Sequence, residues 1–470
     1  MASVPLDGLR PEELADGFAG RVIVPGDEAY EDARTIHNAM IDRRPAVIAQ
    51  CEGPADIAAA LAFGRSRGLE AAVRCGGHAV SGQALVDGGL VIDLRRMNTV
   101  LVDPAARVAR VGGGAVMADL DRATQPHGLA TTGGRASTTG VGGLALGGGS
   151  GWLERRFGLM CDNLLAADLV TADGRRVHAS AEENPELFWA LHGGGGNFGV
   201  VTEFTFGLHP LPGFSIALLL FEADKGPEAL RAYRDLMDEA PDEVGGAFIY
   251  LTGPPEEFVP PHLVGQPAVG VLLTYAGDLE SAKPVFRPML GLGHAAEVIT
   301  DIPYADLQCM LDDPPGFRNY WSAEYLSGFP DEAVDVFTAR AKDMIVPSPS
   351  QHIAFAMGGA VAAGDHEWPV PWRSAPWAVH PFAVWEDPAD DERGRSWTKA
   401  VRGDMEPWSI GAVYLNFIGD EGEDRAAAGR GAENLARLAA VKAEYDPDNV
   451  FHFNHNIRPA VARPLASGPS

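Results

Sequence analysis

The chain has 470 residues, long enough for two or three domains with a large core, so neither disulfides nor a structural metal is required to hold it together. Its 37 Lys and Arg against 64 Asp and Glu leave a formal charge of −27, which excludes nucleic acid and anionic membrane surfaces as natural partners. A hydrophobic content of 46% and a mean hydropathy of −0.04 exclude wholesale disorder.

Taken in chain order, residues 1–17 lack a basic-then-apolar signal pattern, and no apolar run reaches the ~20 residues of a membrane span. Residues 54–67 read as a helix. Short β-branched runs at 71–73, 90–94, 100–102 and 108–111, punctuated by Gly, Asp or Asn, read as strands, and 115–125 reads as a second helix. Residues 142–151 hold six glycines in ten positions. A hairpin over 167–180 precedes a helix, glycine loop and strand over 185–208. From 211 to 410 the composition shifts toward aromatics and prolines. Strand-like runs (216–221, 268–275, 379–385) alternate there with helix-like ones (227–239, 279–290, 331–344, 390–404), which predicts a largely antiparallel sheet backed by helices. A strand over 411–417, an acidic turn at 419–424, a helix over 425–445 and a loose tail from 460 complete the expectation. The four cysteines, Cys51, Cys75, Cys161 and Cys309, form no CxxC pair and read as reduced thiols of a cytoplasmic protein.

The glycine-dense loops carry the chemistry. Without Cβ atoms, backbone N–H groups can approach a pyrophosphate closely. Gly194–Gly199 spells GxGxxG, yet it follows a helix and precedes a strand, the reverse of a dinucleotide-binding Rossmann turn. Gly140–Ala145 spells GxGxxA after a polar run instead of a buried strand. No GxxxxGK[ST] occurs, which argues against a P-loop, and Gly148–Trp152 fails the GxSxG pattern of a serine hydrolase at its last position. His452 and His455 have HxxH spacing but no further zinc ligands nearby, so no metal site is expected. The most informative stretch runs from Val73 to Gly82: Arg74, Cys75, Gly76, Gly77 and His78 end a strand, followed by Ser81 and Gly82. Its glycine amides can line an anion nest while the imidazole is fixed against whatever the loop holds.

This R-[SC]-G-G-H pattern resembles the FAD-binding domain of the vanillyl-alcohol-oxidase and p-cresol-methylhydroxylase (PCMH) type, and more narrowly the berberine-bridge-enzyme-like oxidases. Further landmarks occur in order: Thr131-Thr132-Gly133-Gly134, Thr138 with Gly140, Gly142 and Gly143, Asp162-Asn163, Gly199-Val200-Val201, Tyr414-Leu-Asn416 and Asn454-His455-Asn456. The RNYW and AAVKAEYDPDNVF segments are similar to the 6-hydroxy-D-nicotine-oxidase-like subfamily. The resemblance implies an α+β fold in which residues 1–210, completed by 418–470, hold FAD, while 211–417 form a substrate domain. It implies that Arg74–His78, Ser81, Gly82, Thr132, Gly133, Thr138, Gly140, Gly142, Gly143, Asp162, Asn163, Gly199–Val201, Asn454 and Asn456 contact the cofactor.

It further implies one covalent bond, from His78 to the flavin 8α carbon. Relatives with a second link carry a cysteine in a run matching 134–143, where this chain has Ala136, and Cys161 falls outside that run. On a strand, Tyr414 and Asn416 would share a face. Tyr414 is the expected base, with Asn416 orienting the substrate or a flavin edge, and an ordinary tyrosine would need a lowered pKa or a substrate-assisted role to act so. Tyr320, Trp321, Glu324 and His380 are candidate pocket residues. The implied activity is oxidation of a small alcohol or amine by hydride transfer to FAD, with O2 as acceptor, in a monomer or homodimer. An oxygenating flavoenzyme and a non-catalytic flavin carrier are the alternatives.

Overall fold

Continuous apolar runs, buried along nearly their whole length, make the largest feature of the molecule. In the computed structural model, which describes residues 10–310, 312, 315–363 and 368–461, eight strands between Ser215 and Trp385 form one antiparallel sheet. In Trp377–Trp385 every residue is buried, so both sheet faces are covered. Val379, Ala383 and Trp385 pack under the helices Gly226–Glu239, Leu279–Leu290, Asp331–Arg340 and Asp391–Met405. Ala378 and Phe382 join the opposite layer, with Ile353 and Phe355 of Gln351–Ala356 and Ala247 and Ile249 of Val244–Thr252. That second layer faces the rest of the chain.

The remaining strands form a four-stranded and a five-stranded sheet, and Leu129–Ala130 pairs with His209–Pro210 in a two-stranded one. Val47–Gln50, Leu90–Asp93 and Ala71–Arg74 pair in parallel, with Arg21–Ile23 added antiparallel at the edge. Five antiparallel strands run in the order Val100–Asp103, Val108–Gly112, Val200–Gly207, Leu164–Val170, Arg176–Ser180. The core of this second sheet also takes Leu438, Val441, Tyr445 and Ile457, so the segment after residue 430 packs on elements some 250 residues earlier. A fully buried ion pair, Lys442 to Asp446 at 2.6 Å, fixes that return. Lys442 also donates to the carbonyls of Asn197 and Phe451, and Asp446 accepts from the Val450 and Phe451 amides, so both charges are compensated.

The structure corrects several expected elements. Residues 411–417 form no strand; Tyr414 is extended and Leu415–Phe417 is a single 3-10 turn. The helix expected over 425–445 is two, Glu423–Ala428 and Ala432–Tyr445, parted where Gly431 has φ +78°. The helix expected over 331–344 ends at Arg340 and continues as a 3-10 turn. Val244–Thr252, central in the sheet, escapes sequence reading because Gly245 and Gly246 open it. The expected tail falls almost wholly outside the described residues. Among those residues no helix is long and apolar enough to cross a membrane.

Candidate active site

The glycine loops converge on one cavity of about 390 Å³ that runs from the four- and five-stranded sheets to the inner face of the large one. Two of the loops touch backbone to backbone: a Cβ on Gly76 would lie 2.4 Å from the Gly140 nitrogen, and a Cβ on Gly140 would lie 2.3 Å from the Gly76 nitrogen. This contact sets Thr138 beside His78, with Oγ1 2.9 Å from Nε2. The His78 ring also stacks on His37, with centroids 4.2 Å apart. Desolvation, aided by the neighbouring imidazole, pushes the His78 pKa down to about 3, so the ring is neutral at any ordinary pH. A third loop is tied to the end of the described chain. Asn197 donates to the carbonyls of Gly194 and His455 and accepts from the Ile457 amide, while Asn454 donates to the Gly196 carbonyl.

The opposite wall comes from the large sheet and from the turn at Tyr414. Trp321, Ile353, Phe355, His380, Phe382 and Phe417 line it. The His380 ring stacks on Phe417 at 4.2 Å, and Nδ1 lies 2.8 Å from the Ser322 carbonyl. Tyr414 is fully buried. Its oxygen accepts from Asn416 Nδ2 at 2.8 Å and from the amides of Gly149 and Ser150 at 3.1 and 3.3 Å. Gly148 and Gly149, at φ +120° and +85°, turn those two amides toward the ring. The other Asn416 contacts are the carbonyls of Gly143 and Leu144, which only an amide nitrogen satisfies, so the three groups at the Tyr414 oxygen are all donors. Among the described residues no acceptor meets the phenol hydrogen. Burial raises the Tyr414 pKa to about 12 although these hydrogen bonds oppose it, so the group stays protonated.

A family model described as FAD binding domain matches residues 45–180, and one described as Berberine and berberine like matches 413–458. The chain is 33% identical over 456 residues to (R)-6-hydroxynicotine oxidase of Paenarthrobacter nicotinovorans, covering 94% of this chain and 97% of that protein. The chain belongs to the berberine-bridge-enzyme-like family of FAD-linked oxidoreductases. Its fold agrees with that of 6-hydroxy-D-nicotine oxidase from Arthrobacter nicotinovorans at a TM-score of 0.85, with 29% identity over 98% of this chain and 100% of that one. Glucooligosaccharide oxidase from Acremonium strictum, described with a 6-S-cysteinyl, 8α-N1-histidyl FAD, matches at 0.81, with 25% identity over 95% of this chain and 98% of that one. The α+β, PCMH-type architecture and an oxidoreductase function follow from this membership.

The cavity of this berberine-bridge-enzyme-like chain suits FAD. Gly143 and Gly196 line it, and a Cβ on either would meet no atom within 4 Å, so both glycines keep open space along the loops. Asn454 Oδ1 and Trp321 Nε1 are buried lining atoms without a protein partner. Of the residues named from sequence, Cys75, Gly76, Gly77, His78, Ser81, Gly140, Gly142, Gly143, Gly199, Val200, Val201, Asn454, Trp321, His380, Tyr414 and Asn416 line the cavity.

Other expected contacts are supports that do not reach the cavity wall. Arg74 is buried and donates to the carbonyls of Ala33 and Thr35, so it anchors the segment that carries His37. Thr132 donates to the Gly158 carbonyl. Gly133 lies against Met117, Gly82 against Ile41, and the Gly82 carbonyl accepts from Arg43. Asp162 pairs with Arg373 at 2.7 Å, and Asn163 donates to the carbonyls of Phe157 and Leu159. Asn456 lies one residue before Ile457, whose amide is held by Asn197. Glu324 pairs with Arg425 at 2.6 Å and accepts from Ser409, and Tyr320 packs against Gly419. Sequence reading missed His37, Gln351, Phe355, Phe382 and Phe417, which sit in no glycine motif; only their alternation in the strands could have marked Phe355 and Phe382.

Proposed function

We propose that the chain is an oxidase of small organic alcohols or amines whose FAD is bonded to His78 alone. FAD, when bound, takes a hydride from a C–H bond beside the substrate's O–H or N–H group and passes its electrons to O2, giving H2O2. Residues 1–210 with 418–470 serve the cofactor, and 211–417 serve the substrate. The observation that carries this reading is His78 at the meeting of two glycine loops, neutral and held at one nitrogen. With Nε2 engaged by Thr138, Nδ1 is the atom free to bond, in keeping with the N1-histidyl link named for glucooligosaccharide oxidase. Ala136 borders the cavity where a second link would need a thiol, while burial raises the Cys75 and Cys161 pKa values and keeps both thiols protonated. The Gly76, Gly77, Gly140, Gly142 and Gly143 loops hold the dinucleotide. Tyr414 stays protonated and donates its hydrogen into the cavity, with Asn416 holding the phenol oxygen; this departs from the base role expected from sequence. The four unpaired cysteines suit a reducing compartment such as the cytoplasm. Anaerobic mixing with a panel of alcohols and amines should bleach the flavin with at least one of them, and readmitted air should return its colour with one peroxide per flavin. Incorporation of labelled oxygen into product would replace oxidase by oxygenase, and a flavin that no donor reduces would leave only a carrier.

A further inference from the structure

The substrate side of the cavity has a definite chemical character. Its wall is aromatic and aliphatic: Trp321, Phe355, Phe382 and Phe417 with Ile249 and Ile353. Among the described lining residues there is no Asp or Glu. The two lining arginines are already engaged. Arg135 pairs with Glu154 at 2.6 Å, donates to Ser150 and lies over the Phe355 ring at 4.0 Å, while Arg430 donates to the carbonyls of His455 and Ala426. An ammonium ion entering this space would lose its hydration without gaining a counterion, which is costly.

One group on this wall accepts a hydrogen bond in a fixed direction. The Ser322 carbonyl can only accept, so His380 Nδ1 must carry the ring hydrogen and Nε2 must carry the lone pair. Burial pushes the His380 pKa down to about 4, which keeps that lone pair free at neutral pH. Nε2 has no protein partner among the described residues. His380 and Tyr414 both pack on Phe417, at 4.2 and 4.9 Å, so a fixed acceptor and a fixed donor flank one aromatic ring.

We propose that the site takes an uncharged, ring-bearing hydroxy compound, and that His380 Nε2 selects it by accepting its hydroxyl hydrogen. This rests on the oxidase reading and names the substrate class of that site. The test is calorimetric titration of the flavin-loaded protein with 2-naphthol, 2-methoxynaphthalene and 1-naphthylmethylammonium. Wild type should bind 2-naphthol about tenfold more tightly than its methyl ether, the worth of one hydrogen bond to a buried acceptor, and should bind the ammonium ion more weakly than the ether. In His380→Phe, where stacking on Phe417 is kept, the ratio should fall to about one. In His380→Gln, which restores an acceptor, it should recover in part. Equal binding of naphthol and ether by wild type, an unchanged ratio in His380→Phe, or ammonium binding as tight as naphthol would overturn the proposal. Flavin content, measured on the same samples, separates this outcome from failure of the oxidase reading, because the binding ratio is read without turnover.

Discussion

Tyr414→Phe removes a single oxygen that three donors share. The Asn416 amide can turn back to the carbonyls of Gly143 and Leu144, but the amides of Gly149 and Ser150 have no other acceptor among the described residues. A buried donor left unmade costs ~1–3 kcal/mol. The longer Ser150 bond, 3.3 Å against 3.1 Å for Gly149, belongs at the low end of that range, so the loop over 147–151 should lose ~2–4 kcal/mol of local stability. Hydrogen exchange reads this directly: the Gly149 and Ser150 amides should exchange about 30- to 1,000-fold faster than in wild type. Because the ring remains between Trp372 and Phe417, the cavity keeps its shape. The rate of flavin reduction by a good substrate should therefore fall modestly and keep its wild-type pH profile. Unchanged exchange together with a reduction rate lost by more than about a hundredfold would instead make Tyr414 the base.

Gly143→Val or Gly196→Val fills the space that these glycines leave open, so either variant should fold with an unchanged thermal midpoint yet purify with little flavin; full flavin loading would contradict the cradle. Thr138→Val frees His78 Nε2, so the covalently bound fraction should drop while total FAD is retained, whereas Cys161→Ala should leave that fraction unchanged. His352 is fully buried, its Nε2–H donates to the Phe337 carbonyl, and burial lowers its pKa to about 3. The unfolded chain binds this proton near pH 6.5, so the contribution is full above that value and is lost as pH falls toward 3. Between pH 7 and 5 the loss is ~2 kcal/mol. His352→Phe, which keeps the stack on Phe337 at 3.7 Å, should unfold with a shallower acid dependence; an unaltered slope in urea titrations at the two pH values would contradict the assignment.

The glycine loops were legible in the sequence because their function is a backbone property. Gly76, Gly140, Gly143 and Gly196 sit where a side chain would strike the facing loop or fill the cavity, and no other residue type satisfies that. Residues that merely neighbour those glycines were harder to assign. Arg74 and Asp162 adjoin the motifs, yet both charges turn inward, to carbonyls in one case and to Arg373 in the other, because their strands and turns end under the cavity and not at its wall. The cavity wall opposite the glycine loops was nearly illegible. Its residues come from four strands and a 3-10 turn, far apart in sequence, and an apolar side chain reads alike whether it packs under a helix or lines a cavity. In Trp377–Trp385, His380 and Trp385 are both buried, and register alone sends the first to the cavity side and the second beneath the helices. Glu324 shows the converse: it stands three residues from Trp321 and faces Arg425.

The proposed oxidase chemistry depends on a bond between His78 and FAD. Protein precipitated in acid, washed, digested and examined by mass spectrometry should yield a yellow peptide containing His78 that carries the mass of one FAD, with the peptides of Cys75 and Cys161 carrying none unless the digest joins them to His78. A colourless pellet with all FAD in the supernatant, or fragment ions that place the adduct on a cysteine, would contradict the account.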